Sequence, residues 1–216
     1  MLKAGILASG RGSNFQAIID SIEKDGLKAS IELLITDNPS AFAIERAKKH
    51  NIKYLVINPK EYASKDDFFR KIADELKARG VELVILAGFM RIVRKPLIDA
   101  FPNRIMNIHP ALLPAFPGLH GQKQALDYGV KISGCTVHFV DEGMDTGPII
   151  IQAAVPVLPD DTEDLLSERI LRLEHKIYPE AVRLFSEGRI EIKGKIVKIK
   201  EHPPVSANIV NPPCRS

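Results

Sequence analysis

Apolar positions along the 216-residue chain follow two alternating rhythms. KAGILA (3–8), IELLIT (31–36), KYLVI (53–57), VELVILAG (81–88) and RIMNIH (104–109) are short, almost continuously apolar runs, the pattern of strands buried on both faces. Between them the apolar residues space out. FQAIIDSIEKD (15–25) places Phe15, Ile18, Ile19 and Ile22 on one helical face, and AFAIERAKKH (41–50) reads likewise. A longer helix is predicted over roughly 66–79. Buried runs alternating with amphipathic helices predict an α/β chain with a doubly wound, mostly parallel sheet.

The rhythm then changes. SGCTVHFV (133–140) and PIIIQAAVPV (148–157) are separated by DEGMDTG, which predicts two strands joined by a loop. A helix over about 162–185 and short strand signals near 190–200 follow. The tail EHPPVSANIVNPPCRS (201–216) is proline-rich and polar, and is expected to be poorly ordered. No repeat or linker interrupts the pattern. One domain is expected, with 1–188 as its body and 189–216 as short strands and tail.

Composition narrows the function. With 45% apolar and 26% charged residues, the chain is composed like an ordinary soluble protein. A net charge of +3 is too small to indicate a nucleic-acid partner. The one local basic cluster, KGKIVKIK (193–200), alternates lysine with apolar residues as a half-exposed strand does. Cys135 and Cys214 suggest neither a disulfide framework nor a zinc site. No run approaches the ~18 apolar residues of a membrane span, and MLKAGILASG is too short in its apolar run for a signal peptide. The default expectation is the cytoplasm, with no membrane or nucleic-acid partner.

Three stretches carry candidate chemistry. ASGRGSN (8–14) lies between a strand and a helix, where backbone N–H groups and Ser13 meet an anion readily, and Gly10 and Gly12 permit a tight turn. The spacing matches neither the dinucleotide nor the nucleoside-triphosphate glycine motif, and a plain turn with a Ser or Asn helix cap is the alternative. In NIHPALLPAFPG (107–118), Asn107 and His109 are two apart and so share one side of a strand, with Pro110, Pro114 and Pro117 stiffening the loop behind them. Asn can donate to an oxyanion and His can move a proton near neutral pH, although a strand-end pair satisfying loop backbone is the simpler use. DEGMDTGPI (141–149) offers Asp141, Glu142 and Asp145 as a turn, as metal ligands with His109, His120 and His138, or as one carboxylate favouring the imidazolium of His109. The His and Asp spacings fit no recognised zinc pattern, so no metal is expected.

GILASGRGSNFQAIID, LAGFMRIV, NIHPALLPAFPGLHG, VHFVDEGMDTGPIIIQ and LEHKIYPEAV occur in the order found in one family, over about residues 3–188. In them the chain resembles the phosphoribosylglycinamide formyltransferases. The resemblance implies a Rossmann-like formyltransferase fold and 10-formyltetrahydrofolate as co-substrate, with no metal. It also implies transfer of the formyl group to the amine of glycinamide ribonucleotide in purine biosynthesis. Asn107, His109 and Asp145 are then the catalytic residues, and Gly12, Ser13 and Asn14 hold the substrate phosphate. Glu174 binds glycinamide ribonucleotide. Met90, Arg91, Ile92 and Val93 line the folate pocket, Asn107 reaches it, and Asp141, Glu142, Gly143, Met144 and Asp145 close it. Lys65 stands where the family has an arginine that meets folate; it keeps the charge and loses the bidentate fork. The family leaves monomer or homodimer open.

Formyltetrahydrofolate hydrolase and methionyl-tRNA formyltransferase share N-x-HP-x-LLP and D-x-GP. The first is expected to add an amino-terminal regulatory domain and the second a carboxyl-terminal RNA-binding domain, whereas this sequence starts at its first strand and has about 30 residues after its last long helix. A non-catalytic nucleotide-binding protein would need the sheet and phosphate loop but not Asn107, His109 and Asp145 together.

Overall fold

The computed structural model describes residues 1–201; Cys214 and nearly all of the predicted tail lie outside them. The first five apolar runs become strands β1 (Leu2–Leu7), β2 (Ala29–Thr36), β3 (Tyr54–Val56), β4 (Leu83–Leu86) and β5 (Ile105–His109). Between them run α1 (Ser13–Lys24), α2 (Ala43–Lys49), α3 (Lys65–Lys77) and α4 (Lys95–Ala100). The chain continues through α5 (Gly121–Tyr128), β6 (Ile132–Phe139), β7 (Ile149–Pro156) and α6 (Glu163–Ser186), then β8 (Ile190–Lys193) and β9 (Ile196–Ile199).

Seven strands form one sheet in the order β3-β2-β1-β4-β5-β6-β7. Pairing is parallel from β3 to β5 and antiparallel for β5–β6 and β6–β7, while β8 and β9 pair separately as a hairpin. The two-residue alternation of the strands divides the core. Ala4, Ile6, Leu34, Leu83, Ile85, Met106 and Ile108 pack on one face with Phe15, Ile18 and Ile19 of α1 and Leu166, Ile170 and Tyr178 of α6. Leu7, Leu33, Ile35, Val84, Leu86 and Ile105 pack on the other with Phe68, Phe69 and Ile72 of α3 and Leu97 of α4. This second layer takes no residue of β6 or β7. The face of β5 and β6 beyond it is where polar side chains gather.

Several elements differ from expectation. The strand predicted over 81–88 ends at Leu86, so the MRIV stretch is loop. α4 and α5 are absent from the sequence reading, since helices of 6 and 8 residues show too few apolar repeats to reveal a period. α5 also interrupts what reads as one stiff proline loop after β5. Tyr178 is fully buried on α6, and its hydroxyl lies 3.0 Å from the Leu86 carbonyl and 2.9 Å from that of Met106. Burial raises its pKa well above the ordinary value, so it stays a donor. It ties α6 to the carboxyl end of β4 and to β5 one residue before Asn107.

Candidate active site

The antiparallel register sets Asn107 opposite His138 and His109 opposite Thr136. Residues opposite one another project to the same face of a sheet, so four polar side chains share this one. On the far face of β6 lie Cys135, Val137 and Phe139, in the core with α6. Cys135 is thus turned away from the polar cluster, and burial, with a smaller contribution from Glu174, pushes its thiol up to about 12.

Burial lowers the pKa of His138, with weaker opposing contributions from the Phe139 carbonyl and Asp145, and the ring is neutral near pH 7. Its Nδ1 donates to the Phe139 carbonyl at 2.9 Å, which leaves Nε2 as an acceptor. The Asn107 amide nitrogen stands 3.3 Å from that Nε2 and donates to it. One amide hydrogen of Asn107 is thereby fixed and the second remains for a ligand.

His109 is only 4% exposed. Its Nδ1 faces Asp145 Oδ2 at 3.5 Å, and its Nε2 donates to the Phe116 carbonyl at 2.8 Å. The same Asp145 oxygen accepts the Gly118 N–H at 2.8 Å, so residues 116–118 lie over both members of the pair. Thr136 and Gln152 hold the base of this cover. Thr136 Oγ1 donates to the Ala111 carbonyl at 2.7 Å and accepts from the Leu113 N–H at 3.0 Å, and Gln152 Nε2 donates to the Leu113 carbonyl at 2.9 Å. With the cover in place, a polar depression of about 440 Å³ along Ser9, Asp37, Asn38, Lys60 and Arg91 contains none of Asn107, His109 and Asp145.

The glycine loop behaves differently from a capped helix start. Thr162 caps α6 and Ser64 caps α3 through their hydroxyls, but α1 begins on Gly12 with no side-chain cap. Gly12 has φ +65°, and a Cβ there would stand 2.9 Å from Ala43 Cβ. Only glycine fits. Gly10, expected to serve the same turn, has neither a positive φ nor a close neighbour. The Ser or Asn cap alternative is replaced by a helix start whose first N–H groups carry no side-chain acceptor.

Asn14 and Glu174 are 160 positions apart and meet here: Asn14 Nδ2 donates to Glu174 Oε2 at 2.7 Å, and Asn14 Oδ1 is buried without a protein partner. Burial raises the Glu174 carboxyl above its ordinary value of 4.5, the Asn14 bond opposing. The folded protein thus keeps this proton where the unfolded chain has lost it, and stability falls as pH rises from the unfolded value toward the folded one. Glu174→Gln keeps an oxygen for Asn14 and does not titrate. Its melting temperature is expected to gain on wild type as pH rises above about 4.5. A difference independent of pH in thermal melts would contradict this.

Of the remaining expected residues, Met90 to Val93 follow the carboxyl end of β4. The Met90 N–H donates to Ser9 Oγ at 3.0 Å, and Met90 and Ile92 are exposed while Val93 is buried. Arg91 is paired through Nε with Asp37 and lies over the Phe68 ring, 5.8 Å from its centroid. Lys65 is exposed at the start of α3, one helical turn before Phe68. Glu142, Gly143 and Met144 are exposed in the β6–β7 loop, with Asp141 accepting the Gly143 N–H at 3.1 Å. His120, near the cover, starts α5 with φ +60°. Among the described residues, no group of three or more His, Cys, Asp or Glu side chains is placed to hold a metal ion.

Residues 2–182 match the model of the formyl transferase family. The phosphoribosylglycinamide formyltransferase of Bacillus subtilis is 46% identical over 183 residues, 85% of this chain and 94% of the relative. The chain belongs to the phosphoribosylglycinamide formyltransferase family. The resemblance carried by the motifs is borne out. A solved structure, glycinamide ribonucleotide transformylase 1 from Symbiobacterium toebii, superposes with a TM-score of 0.91 at 53% identity, covering 92% of this chain and 94% of that one. The trifunctional purine biosynthetic protein adenosine-3 of Drosophila melanogaster is 46% identical over 196 residues, 90% of this chain. This chain spans 14% of that relative's length. Residues that hold this arrangement together and that the sequence did not reveal are Thr136, Gln152, Phe116, Tyr178 and Asp37. For Thr136 a signal existed, its two-residue spacing from His138.

Proposed function

We propose that the protein transfers the formyl group from N10 of 10-formyltetrahydrofolate to the glycine amine of glycinamide ribonucleotide, a step of purine biosynthesis. The observation that carries this reading is the convergence of Asn107, His109 and Asp145 on one face of the β5–β6 ladder, in a formyltransferase chain. The uncapped start of α1, with Gly12, Ser13 and Asn14, supports a phosphate at its N–H groups. Glu174 and the unpartnered Asn14 oxygen then meet the same substrate. Lys65, the 90–93 loop, Asn107 and the 141–145 loop receive the folate.

The amine attacks the formyl carbon and the carbonyl oxygen becomes a tetrahedral oxyanion. The free Asn107 amide hydrogen and the imidazolium of His109 stabilise it, the type of contribution that dominates much acyl transfer. Breaking the carbon–N10 bond returns the electron pair to N10, which takes a proton from His109 directly or through water, while the attacking amine releases one. Asp145, 3.5 Å from Nδ1, orients the ring. The Nε2 hydrogen now given to Phe116 must be released to reach the substrate, so residues 116–118 have to shift during turnover. No covalent enzyme intermediate is required.

Among the described residues no helix is long and apolar enough to cross a membrane. A cytoplasmic protein with two small-molecule partners fits the reading. Mixing the protein with both substrates should release tetrahydrofolate, and omitting glycinamide ribonucleotide should stop it. Release without that substrate would point to the hydrolase instead. Treatment with a chelator is expected to leave the rate unchanged, because donors and a proton source suffice; loss restored by zinc would contradict this.

A further inference from the structure

The hairpin β8–β9 lies beyond residue 182, where the family match stops. Its register pairs Lys193 with Ile196, leaving Gly194 and Lys195 as a two-residue turn with Gly194 at φ +60°. Instead of a solvated end to a basic strand, Lys195 reaches the loop between β6 and β7. Its Nζ donates to Asp141 Oδ2 and to the Thr146 carbonyl, each at 2.6 Å. Asp141 Oδ1 in turn accepts the Thr146 hydroxyl at 2.7 Å. The two rims of the loop are thereby tied to each other and to the hairpin, with Asp145, at φ +54°, held between them.

We infer that Lys195 is a positioning residue for the formyl-transfer reaction, fixing the loop that carries Asp145 and closes the folate pocket. The inference rests on the function proposed above. Lys195 is 65% exposed and Asp141 33%, so their pairing adds little to global stability. The contact matters through where it acts. A carboxylate that must face His109 Nδ1 sits one residue from a carbonyl that Lys195 grips, and no other hydrogen bond from the hairpin to this loop is present among the described residues. Lys95 of α4 touches the loop as well, but only at the exposed Glu142 side chain, at 3.2 Å.

Lys195→Met keeps the stem and removes the donors, whereas Lys195→Arg keeps charge and donors. For Lys195→Met the KM for 10-formyltetrahydrofolate is expected to rise and kcat to fall, each about three- to fivefold, the size of one exposed contact. The KM for glycinamide ribonucleotide and the melting temperature should not move, and Lys195→Arg should recover most of the loss. Amide hydrogen exchange over residues 142–147 should accelerate in Lys195→Met and not over α1. An unchanged KM for the formyl donor, an equal rise in both KM values, or unchanged exchange would each overturn the inference. If the wild-type protein forms no tetrahydrofolate, the proposed function fails, and the exchange experiment still tests the latch.

Discussion

Replacing His109 by alanine is expected to lower kcat by ~10²–10⁴-fold, the range for removing a general acid, while the KM for the formyl donor stays near wild type. His109 is buried with both ring nitrogens engaged, Nδ1 facing Asp145 and Nε2 donating to the Phe116 carbonyl. Alanine removes the proton donor and one of two oxyanion donors, but none of the loop surface formed by Met90 to Val93. It also leaves the Phe116 carbonyl without its donor, a cost of ~1–3 kcal/mol in stability that thermal melts will show separately from the rate. Asp145→Asn should lower kcat in the same direction, since an amide oxygen still accepts the Gly118 N–H but carries no charge toward His109. Steady-state kinetics with each substrate varied separates the two effects. Near wild-type turnover in His109→Ala would remove it from the mechanism.

The second large effect is at the glycine loop. Ser13→Ala is expected to raise the KM for glycinamide ribonucleotide roughly ten- to a hundredfold and leave that for the folate unchanged. A charge-assisted hydrogen bond to phosphate contributes ~1.5–3 kcal/mol, and ~1.4 kcal/mol is tenfold in affinity. Ser13 is the first residue of α1 and its hydroxyl caps nothing, so alanine costs the helix little. Gly12→Asp is a poorer test of phosphate binding. Its Cβ would press on Ala43 and its φ is positive, so it would disturb α1 and α2 whether or not a phosphate binds. An equal loss for both substrates in Ser13→Ala would make the loop a structural turn.

Much of this arrangement was legible before the structure. The strands of the parallel half announced themselves as apolar runs, and two-residue spacing was enough to put Asn107 and His109 on one side of β5. What stayed hidden depends on register or on backbone. That His138 and Thr136 complete the same face emerges only once β6 pairs antiparallel to β5. The cover over His109 is made by a main-chain carbonyl of Phe116 and an N–H of Gly118, groups every residue has. Asn14 with Glu174, Asp37 with Arg91, and Lys195 with Asp141 join segments far apart in sequence, where periodicity carries no information. Family resemblance singled out Asp145 among the carboxylates of its loop, and its approach to His109 is visible only in the folded chain.

The most direct test of the account tracks the formyl carbon itself. The purified protein is given 10-formyltetrahydrofolate labelled with carbon-13 in the formyl group, together with glycinamide ribonucleotide, and the products are read by NMR. The label is expected on the glycine nitrogen of the ribonucleotide, one for each tetrahydrofolate released. Label recovered as formate, or left on the folate after prolonged incubation, would contradict it.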